Sequence, residues 1–348
     1  MSIMKQSLPK QVTILGDGSW GTAMALILRK HCQVKLWSAF KEQADALRKD
    51  NENKLFLPGH PLDSITIVDD RKEALKDAQL VFVAIPSRYL RQQIKLFVKV
   101  IQNRIEQLRQ EKKQLFIISL TKGFENKTWM LPTQIIEDVL HIKKSVMALS
   151  GPSHAEEVAK NVPTAVALAG PNKKDLVLLQ GFLSSHRFRI YTNSDIVGVQ
   201  VGAAIKNVIA IAGGMCAGLG FGSNTLAALV TRGVKEMNRF SVSFGGKKQT
   251  LYGLAGIGDL IVTCFSEHSR NYRLGFAVAM GTTLEEHLSS SKMVSEGVQA
   301  VYSIYHYAKK KGLYMPITQM VYLVLYKKQS LDEAVNQLMT APKKDEFI

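Results

Sequence analysis

The stretch Leu15-Gly16-Asp17-Gly18-Ser19-Trp20-Gly21-Thr22-Ala23-Met24-Ala25 decides how the first half of this chain is built. It follows a β-branched apolar run at 12–15 and opens an apolar helical pattern at 23–28. A bare G-x-G-x-x-G is a weak signal, but between a strand and a helix it is a dinucleotide-binding fingerprint. Gly16 permits the tight turn, Gly18 lets the backbone approach a pyrophosphate, and Gly21 lets helix and strand pack closely. Phosphates would lie at the helix N-terminus, where free N–H groups and the macrodipole attract negative charge. The alternative is an ordinary glycine-rich turn, against which both flanks count.

A strict NAD site places an acid about twenty residues further on, at the ribose hydroxyls. Here the second apolar run ends Leu36-Trp37-Ser38-Ala39-Phe40, and no acid appears before Glu42. NADP therefore stays open beside NAD, with Lys41 or Arg48 as candidate partners of a ribose phosphate. Both nucleotides are expected to support turnover.

Outward from this stretch, short apolar runs at 12–15, 34–37, 80–85, 115–120 and 146–149 alternate with helical periodicity. This is the pattern of a parallel sheet with crossover helices. Several runs are uniformly apolar, as strands covered on both faces should be. Further runs at 164–169 and 188–191 extend the same sheet, and beyond Asn193 nearly every segment reads as helix. The expected architecture is α/β, a Rossmann-type domain over 1–192 followed by a mainly α-helical domain over 193–348.

A chain of 348 residues with 46% hydrophobic content suffices for two packed cores. Cys32, Cys216 and Cys264 lie far apart without zinc-ligand spacing, which implies reduced thiols and no structural metal. The N-terminal residues before Pro9 form no apolar signal-peptide stretch, so the expected compartment is the cytoplasm. Residues 208–231 carry no charge and are long enough to cross a bilayer, but five glycines and the run Ser223-Asn224-Thr225 interrupt them. Buried helices are the expectation there, with no integral membrane association. The net charge of +16 is scattered in short clusters such as Lys309-Lys310-Lys311, without interleaved aromatics. Solvated surface lysines, rather than a nucleic-acid footprint, account for it.

Three places carry chemistry. Lys206 is a lone charge in Val201-Gly202-Ala203-Ala204-Ile205-Lys206-Asn207-Val208. Desolvation lowers the pKa of such an ammonium and suits it to act as a general base; the alternative is a lysine snorkelling to water. Asp259 is a lone charge in Leu254-Ala255-Gly256-Ile257-Gly258-Asp259-Leu260. It reads either as a partner of Lys206 or as a helix N-cap. Ser269-Arg270-Asn271 stands at a predicted helix start, where a guanidinium adds to the free N–H groups of a phosphate site; solvated basic residues are the alternative.

Taken in order, GDGSWGTAMA at 16–25, LTKG at 120–123, SGPSHAEEVA at 150–159, GVQVGAAIKNVIAIAGG at 198–214, TRG at 231–233, LAGIGDLIVTC at 254–264, SRN at 269–271 and SEGV at 295–298 span nearly the whole chain. Together they resemble the NAD(P)-dependent glycerol-3-phosphate dehydrogenase family, bacterial type. The resemblance implies hydride transfer between sn-glycerol 3-phosphate and dihydroxyacetone phosphate, a phosphorylated small-molecule substrate, and a supply of glycerol 3-phosphate for glycerophospholipids. It implies Lys206 as the proton acceptor and Asp259 beside it. Lys122, Gly151, Ser153, Asp259, Thr263, Ser269, Arg270 and Asn271 then match substrate positions. Ser19, Trp20, Lys122, Ala155, Arg270, Val294 and Glu296 match cofactor contacts. A homodimer is the expected assembly.

Three departures stand out. His154 replaces a usual phenylalanine, Tyr272-Arg273-Leu274 replaces a basic pair followed by phenylalanine, and Ser38-Ala39 lacks the basic residue often found after the second strand. The first two are expected to alter packing. Two rival readings remain testable: a hydroxy-acid dehydrogenase acting on a substrate such as 6-phosphogluconate, and a basic protein that binds NAD and nucleic acid without turnover.

Overall fold

The computed structural model describes residues 8–290, 296–342 and 345. Among the described residues there are ten strands: β1 (Gln11–Leu15), β2 (Gln33–Trp37), β3 (Glu52–Asn53), β4 (Leu57–Pro61), β5 (Ile65–Val68), β6 (Leu80–Val83), β7 (Phe116–Ser119), β8 (Val146–Ser150), β9 (Thr164–Ala169) and β10 (Phe188–Asn193). Eight of them form one sheet in the order β10-β9-β8-β7-β6-β1-β2-β5, while β3 and β4 pair separately. The chain leaves β1 toward β2 and β5, then returns to β6 on the other side. The switch point of this doubly wound sheet is thus beside β1, where ligands bind outside the carboxyl ends of the strands.

Alternate residues explain why several of the strands are largely apolar on both faces. Leu80 and Phe82 of β6 belong to the core under the helix Ser19–Leu28, whereas Val81 and Val83 belong to the opposite core under the helices Ser87–Gln110 and Pro132–Leu140. Both faces are covered, so neither can be polar.

The sheet departs from the purely parallel expectation at β8 and β9, which pair antiparallel. The segment between them remains at one end of the sheet, where the short helix Ala155–Ala159 packs on the helix Ser19–Leu28. No crossover returns the chain to the other end, so β9 must run backward. The runs at 164–169 and 188–191 do extend the sheet. The edge strand β5 and the β3–β4 hairpin were outside the sequence expectation. The former has four residues, and the latter reads Leu57-Pro58-Gly59-His60-Pro61, two prolines and a glycine that mask a strand pattern.

After β10 the chain becomes helical. The helix Ile196–Gly218 is the axis of this half. Around it pack the helices Ser223–Ser243, Asp259–Cys264, Arg270–Ala279, Glu296–Lys311 and Pro316–Lys327. It is long and apolar enough to span a membrane, but 89% of its most apolar window is buried inside the protein. The uncharged stretch 208–231 is divided between two helices at 219–222. Its apolar character is that of a core helix and its neighbour.

Small residues set the spacing of this half. A Cβ at Gly275 would lie 1.9 Å from the Ile211 carbonyl oxygen, and one at Gly214 would lie 1.9 Å from that of Tyr272. Only glycines let the helix Arg270–Ala279 lie backbone to backbone on the axial helix. At the start of the axial helix, Asp195 accepts from Gly198 N (2.9 Å), Lys247 N (2.7 Å) and Thr250 Oγ1 (2.6 Å). One carboxylate caps the helix and pins the loop that leads to residue 254.

Candidate active site

At the end of β1 the three fingerprint glycines behave differently. Gly16 has φ +115°, and a Cβ there would lie 2.7 Å from the Ala84 carbonyl oxygen, so this turn excludes any side chain. A Cβ at Gly21 would lie 2.0 Å from the Gly16 carbonyl oxygen, which makes helix and strand inseparable from glycine at this position. Beside Gly18 a Cβ would meet nothing within 4 Å. The backbone here faces open space at the N-terminus of the helix Ser19–Leu28, which is what an approaching pyrophosphate requires. The residues present therefore fit a dinucleotide.

Several other sequence candidates gather on this side. Ser19 opens the helix and donates its Oγ to the Phe56 carbonyl (2.7 Å), while Trp20 is partly buried against the sheet core. Ala155 is buried at the start of the short helix that packs on the helix Ser19–Leu28.

The second group of residues converges from three segments. Lys206 lies within the axial helix at 5% exposure, and Asp259 opens the helix Asp259–Cys264 at 1% exposure. Lys122 lies in the turn after β7, where Gly123, with φ +108°, packs on Ser87. The Asp259 carboxylate accepts from Lys206 Nζ on one oxygen and from Lys122 Nζ on the other, the latter at 3.0 Å. Lys206 Nζ also donates to Thr263 Oγ1 at 2.8 Å, and Thr263 Oγ1 in turn donates to the Asp259 carbonyl. Asp259 can reach Lys206 because glycines bring its segment close: a Cβ at Gly202 would lie 2.4 Å from the Ala255 carbonyl oxygen.

Two ammonium groups share one carboxylate, and this imbalance fixes the electrostatics. Burial pushes the Lys206 pKa down to about 8, with the Asp259 carboxylate opposing and the Lys122 ammonium assisting the fall. For Asp259, burial pulls upward, but the charges of Lys122 and Lys206 outweigh it and hold the carboxyl below its usual range. The cluster thus contains a stable carboxylate and an amine that deprotonates near neutral pH. Such an amine can remove a proton from an alcohol.

Around this cluster, Gly151 and Ser153 form a turn after β8 in which Ser153 Oγ donates to the Gly151 carbonyl at 2.9 Å. Pro152 of the same turn would be 3.7 Å from a Cβ at Gly258, beside Asp259. Ser269 is the N-cap of the helix Arg270–Ala279 and accepts from Tyr272 N at 3.2 Å. Arg270 is exposed at the first position of that helix. Asn271 Oδ1 lies where a Cβ on Gly297 would be 2.0 Å away, which joins this helix start to that of the helix Glu296–Lys311. Val294 and the side chain of Glu296 lie outside the described residues.

Sequence reasoning gave several neighbours no part in the site. His154 has Nε2 3.3 Å from the Val262 carbonyl oxygen, and its ring centroid is 6.0 Å from that of His268. Burial lowers its pKa, and the charge of Lys206 adds to this, so it shares the environment of the cluster. Its position in SGPSHAEEVA was the available signal. Asp17, Ser38 and Asn53 form a polar network around the glycine turn that spacing along the chain did not reveal. Among the described residues no group of His, Cys, Asp and Glu could hold a metal ion, and Cys32, Cys216 and Cys264 are free thiols.

The family model described as NAD-dependent glycerol-3-phosphate dehydrogenase N-terminus matches residues 11–176, and the one described as the C-terminus of the same enzyme matches 195–336. A glycerol-3-phosphate dehydrogenase [NAD(P)+] of Syntrophomonas wolfei is 42% identical over 344 residues, covering 98% of this chain and 97% of its own. One from Staphylococcus carnosus is 42% identical over 340 residues, covering 97% of this chain and 99% of its own. The crystal structure of glycerol-3-phosphate dehydrogenase from Coxiella burnetii superposes with a TM-score of 0.87 at 35% identity, covering 95% of this chain and 99% of that one. With both halves matched in order and the glycine turn and lysine–aspartate cluster in place, this chain belongs to the NAD-dependent glycerol-3-phosphate dehydrogenase family.

Proposed function

We infer that this chain interconverts sn-glycerol 3-phosphate and dihydroxyacetone phosphate with NAD or NADP as hydride carrier. The observation that carries this reading is the buried Lys206–Asp259–Lys122 cluster, which holds one amine ready to lose its proton near neutral pH. The turn Gly16–Gly21 and the helix behind it would hold the pyrophosphate, with Ser19, Trp20, Lys122, Ala155, Arg270, Val294 and Glu296 as further nucleotide contacts. Bound nicotinamide supplies the acceptor for the hydride that leaves the middle carbon. Lys206 Nζ takes the hydroxyl proton as the C–O bond becomes a carbonyl, and returns it in the reverse direction. Asp259 and Thr263 hold that amine in place, while Gly151, Ser153, Ser269, Arg270 and Asn271 surround the phosphorylated substrate. The catalytic pair is Lys206 and Asp259.

In this reading residues 1–192 serve the nucleotide and 193–348 the substrate, and the product feeds glycerophospholipid synthesis in the cytoplasm. The assembly we favour is a homodimer without nucleic acid, a point light scattering decides. Loss of NADH or NADPH absorbance on adding dihydroxyacetone phosphate tests the reaction itself. Turnover of 6-phosphogluconate instead, or of neither substrate with either nucleotide, would sink the reading.

A further inference from the structure

A nucleotide-binding fold of this type selects against a 2′-phosphate by an acid near the end of its second strand, where the ribose hydroxyls lie. In this chain that strand is β2, and the residue immediately after it is Ser38, fully buried. Ser38 Oγ donates to Asp17 Oδ2 at 2.9 Å and also approaches the Phe40 carbonyl at 3.2 Å. The strand end therefore does have a carboxylate, delivered from between Gly16 and Gly18 of the glycine turn rather than from β2 itself.

The position is fixed by its surroundings. Gly16 N donates to the Trp37 carbonyl at 3.0 Å, tying the turn to the strand end. Asn53 Nδ2 donates to the Asp17 carbonyl at 2.7 Å and to Thr22 Oγ1 at 2.8 Å, and Thr22 Oγ1 donates to the same Asp17 carbonyl at 3.2 Å. Asp17 enters no ion pair among the described residues. Burial raises its pKa against the pull of the Ser38 hydrogen bond and of a backbone hydrogen bond at Asp17 itself.

The basic residues that might welcome a phosphate are an arginine already engaged and a lysine on the surface. Arg48 directs Nη1 to Asp45 (2.7 Å), Nη2 to Asp69 (2.5 Å) and Nε to the Ile67 carbonyl (3.2 Å), so every guanidinium nitrogen is already paired. Lys41 opens the next helix and is exposed.

We propose that Asp17, aimed by Ser38, is the specificity-determining residue that accepts from the adenosine ribose hydroxyls and makes this enzyme favour NAD(H) over NADP(H). The proposal rests on the dinucleotide reading given above and deepens it. A ribose diol donates hydrogen bonds to a carboxylate. A 2′-phosphate brings only negative charge to the same place, beside a carboxylate that has no ion-pair partner among the described residues.

Equilibrium titration of NADH and NADPH fluorescence against the full-length protein decides the matter without recourse to turnover. Wild type is expected to bind NADH about 10-fold or more tightly than NADPH, the scale of a repulsion between partly exposed like charges. Asp17→Asn keeps the size and an acceptor for Ser38 but removes the charge, and should bring the two dissociation constants within about threefold of each other. Ser38→Ala, which removes the donor that aims Asp17, should narrow the ratio part of the way. A wild type that binds NADPH as tightly as NADH, or a ratio unmoved in both variants, overturns the proposal and leaves dinucleotide binding intact. A wild type that binds neither nucleotide removes the cofactor reading and this proposal with it.

Discussion

A lysine on a helix otherwise free of charge has two outcomes, an extended path to water or a buried partner, and Lys206 has the second. Its partner is divided, since Asp259 also receives Lys122. Lys206→Met should therefore lower turnover by about 100-fold or more, the usual contribution of a positioned base, while NADH titration still shows binding. Near-normal turnover in that variant would exclude the role. The pH profile gives a second check. Only the neutral amine accepts a proton, so kcat/KM for glycerol 3-phosphate oxidation should rise with pH and level off above about 8. Asp259→Asn removes the negative charge that favours the ammonium, so the rising limb should move to lower pH even as turnover falls. A limb that stays in place would mean that Asp259 is not the group setting the lysine's titration. Lys206 and Asp259 were legible as lone charges in apolar tracts, because burial of a charge demands a partner. Asp17 was not, because the expected acid was sought twenty residues along the chain, whereas the fold brings one across the turn.

Helix starts and helix crossings shape the proposed substrate side of the site. The Ser269 cap was legible, since serine before a helical pattern is a common N-cap and its Oγ does accept from Tyr272 N. Whether Arg270 at that start reads the substrate phosphate is tested by Arg270→Gln. A charge-assisted hydrogen bond of about 1.5 to 3 kcal/mol corresponds to a loss of roughly 10-fold to 150-fold in kcat/KM for glycerol 3-phosphate. Turnover of unphosphorylated glycerol, which has no phosphate for Arg270 to meet, should change far less, and equal losses for both substrates would assign Arg270 to the nucleotide instead. The crossing that holds this helix was not legible, because a glycine pair in a helical tract does not name its neighbour. A Cβ at Gly275 would lie 1.9 Å from a backbone oxygen of the axial helix, a contact that neither helix can relieve by rotating a side chain. Gly275→Ala should lower thermal stability by about 1 to 3 kcal/mol, the typical effect of overpacking, and reduce kcat/KM by moving Ser269–Asn271. Unchanged melting would show that the crossing has slack. Glu236 was equally hidden: from the helix Ser223–Ser243 it accepts from Ile317 N (2.5 Å) and Thr318 N (3.1 Å), capping a helix whose own N-cap, Met315, has no side-chain oxygen to offer.

Taken as one molecule, the chain repeats the same lesson in its cores. The α/β half was readable because alternate strand residues must be apolar on both covered faces, and the helical half because strand signals stop after β10. What periodicity does not carry is which half a loop packs with. Phe124 and Leu131 precede β8 in the chain, yet both lie in the core of the helical half, with the Phe124 ring 5.6 Å from Phe240 and 5.3 Å from Phe244. In the same stretch Trp129 Nε1 donates to the Ser303 carbonyl at 3.2 Å, and Gln200 Oε1 accepts from Thr133 N at 3.0 Å. The helical half is therefore completed by residues from the other half, and the Lys122–Asp259 pair of the candidate active site lies beside that junction. Phe124→Ala should cost about 3 to 5 kcal/mol, because it removes a buried aromatic whose space its neighbours cannot fully close. If the two halves form one cooperative unit, calorimetry of the full chain should give a single transition that the variant moves down as a whole, by several degrees for a domain pair of this size. The fragment 195–348, lacking Phe124 and Leu131, should then fail to show a cooperative transition of its own. Two transitions in the full chain with only one displaced by Phe124→Ala, or a fragment that melts cooperatively, would establish that the halves fold separately and that the 124–133 segment merely rests on a core already complete.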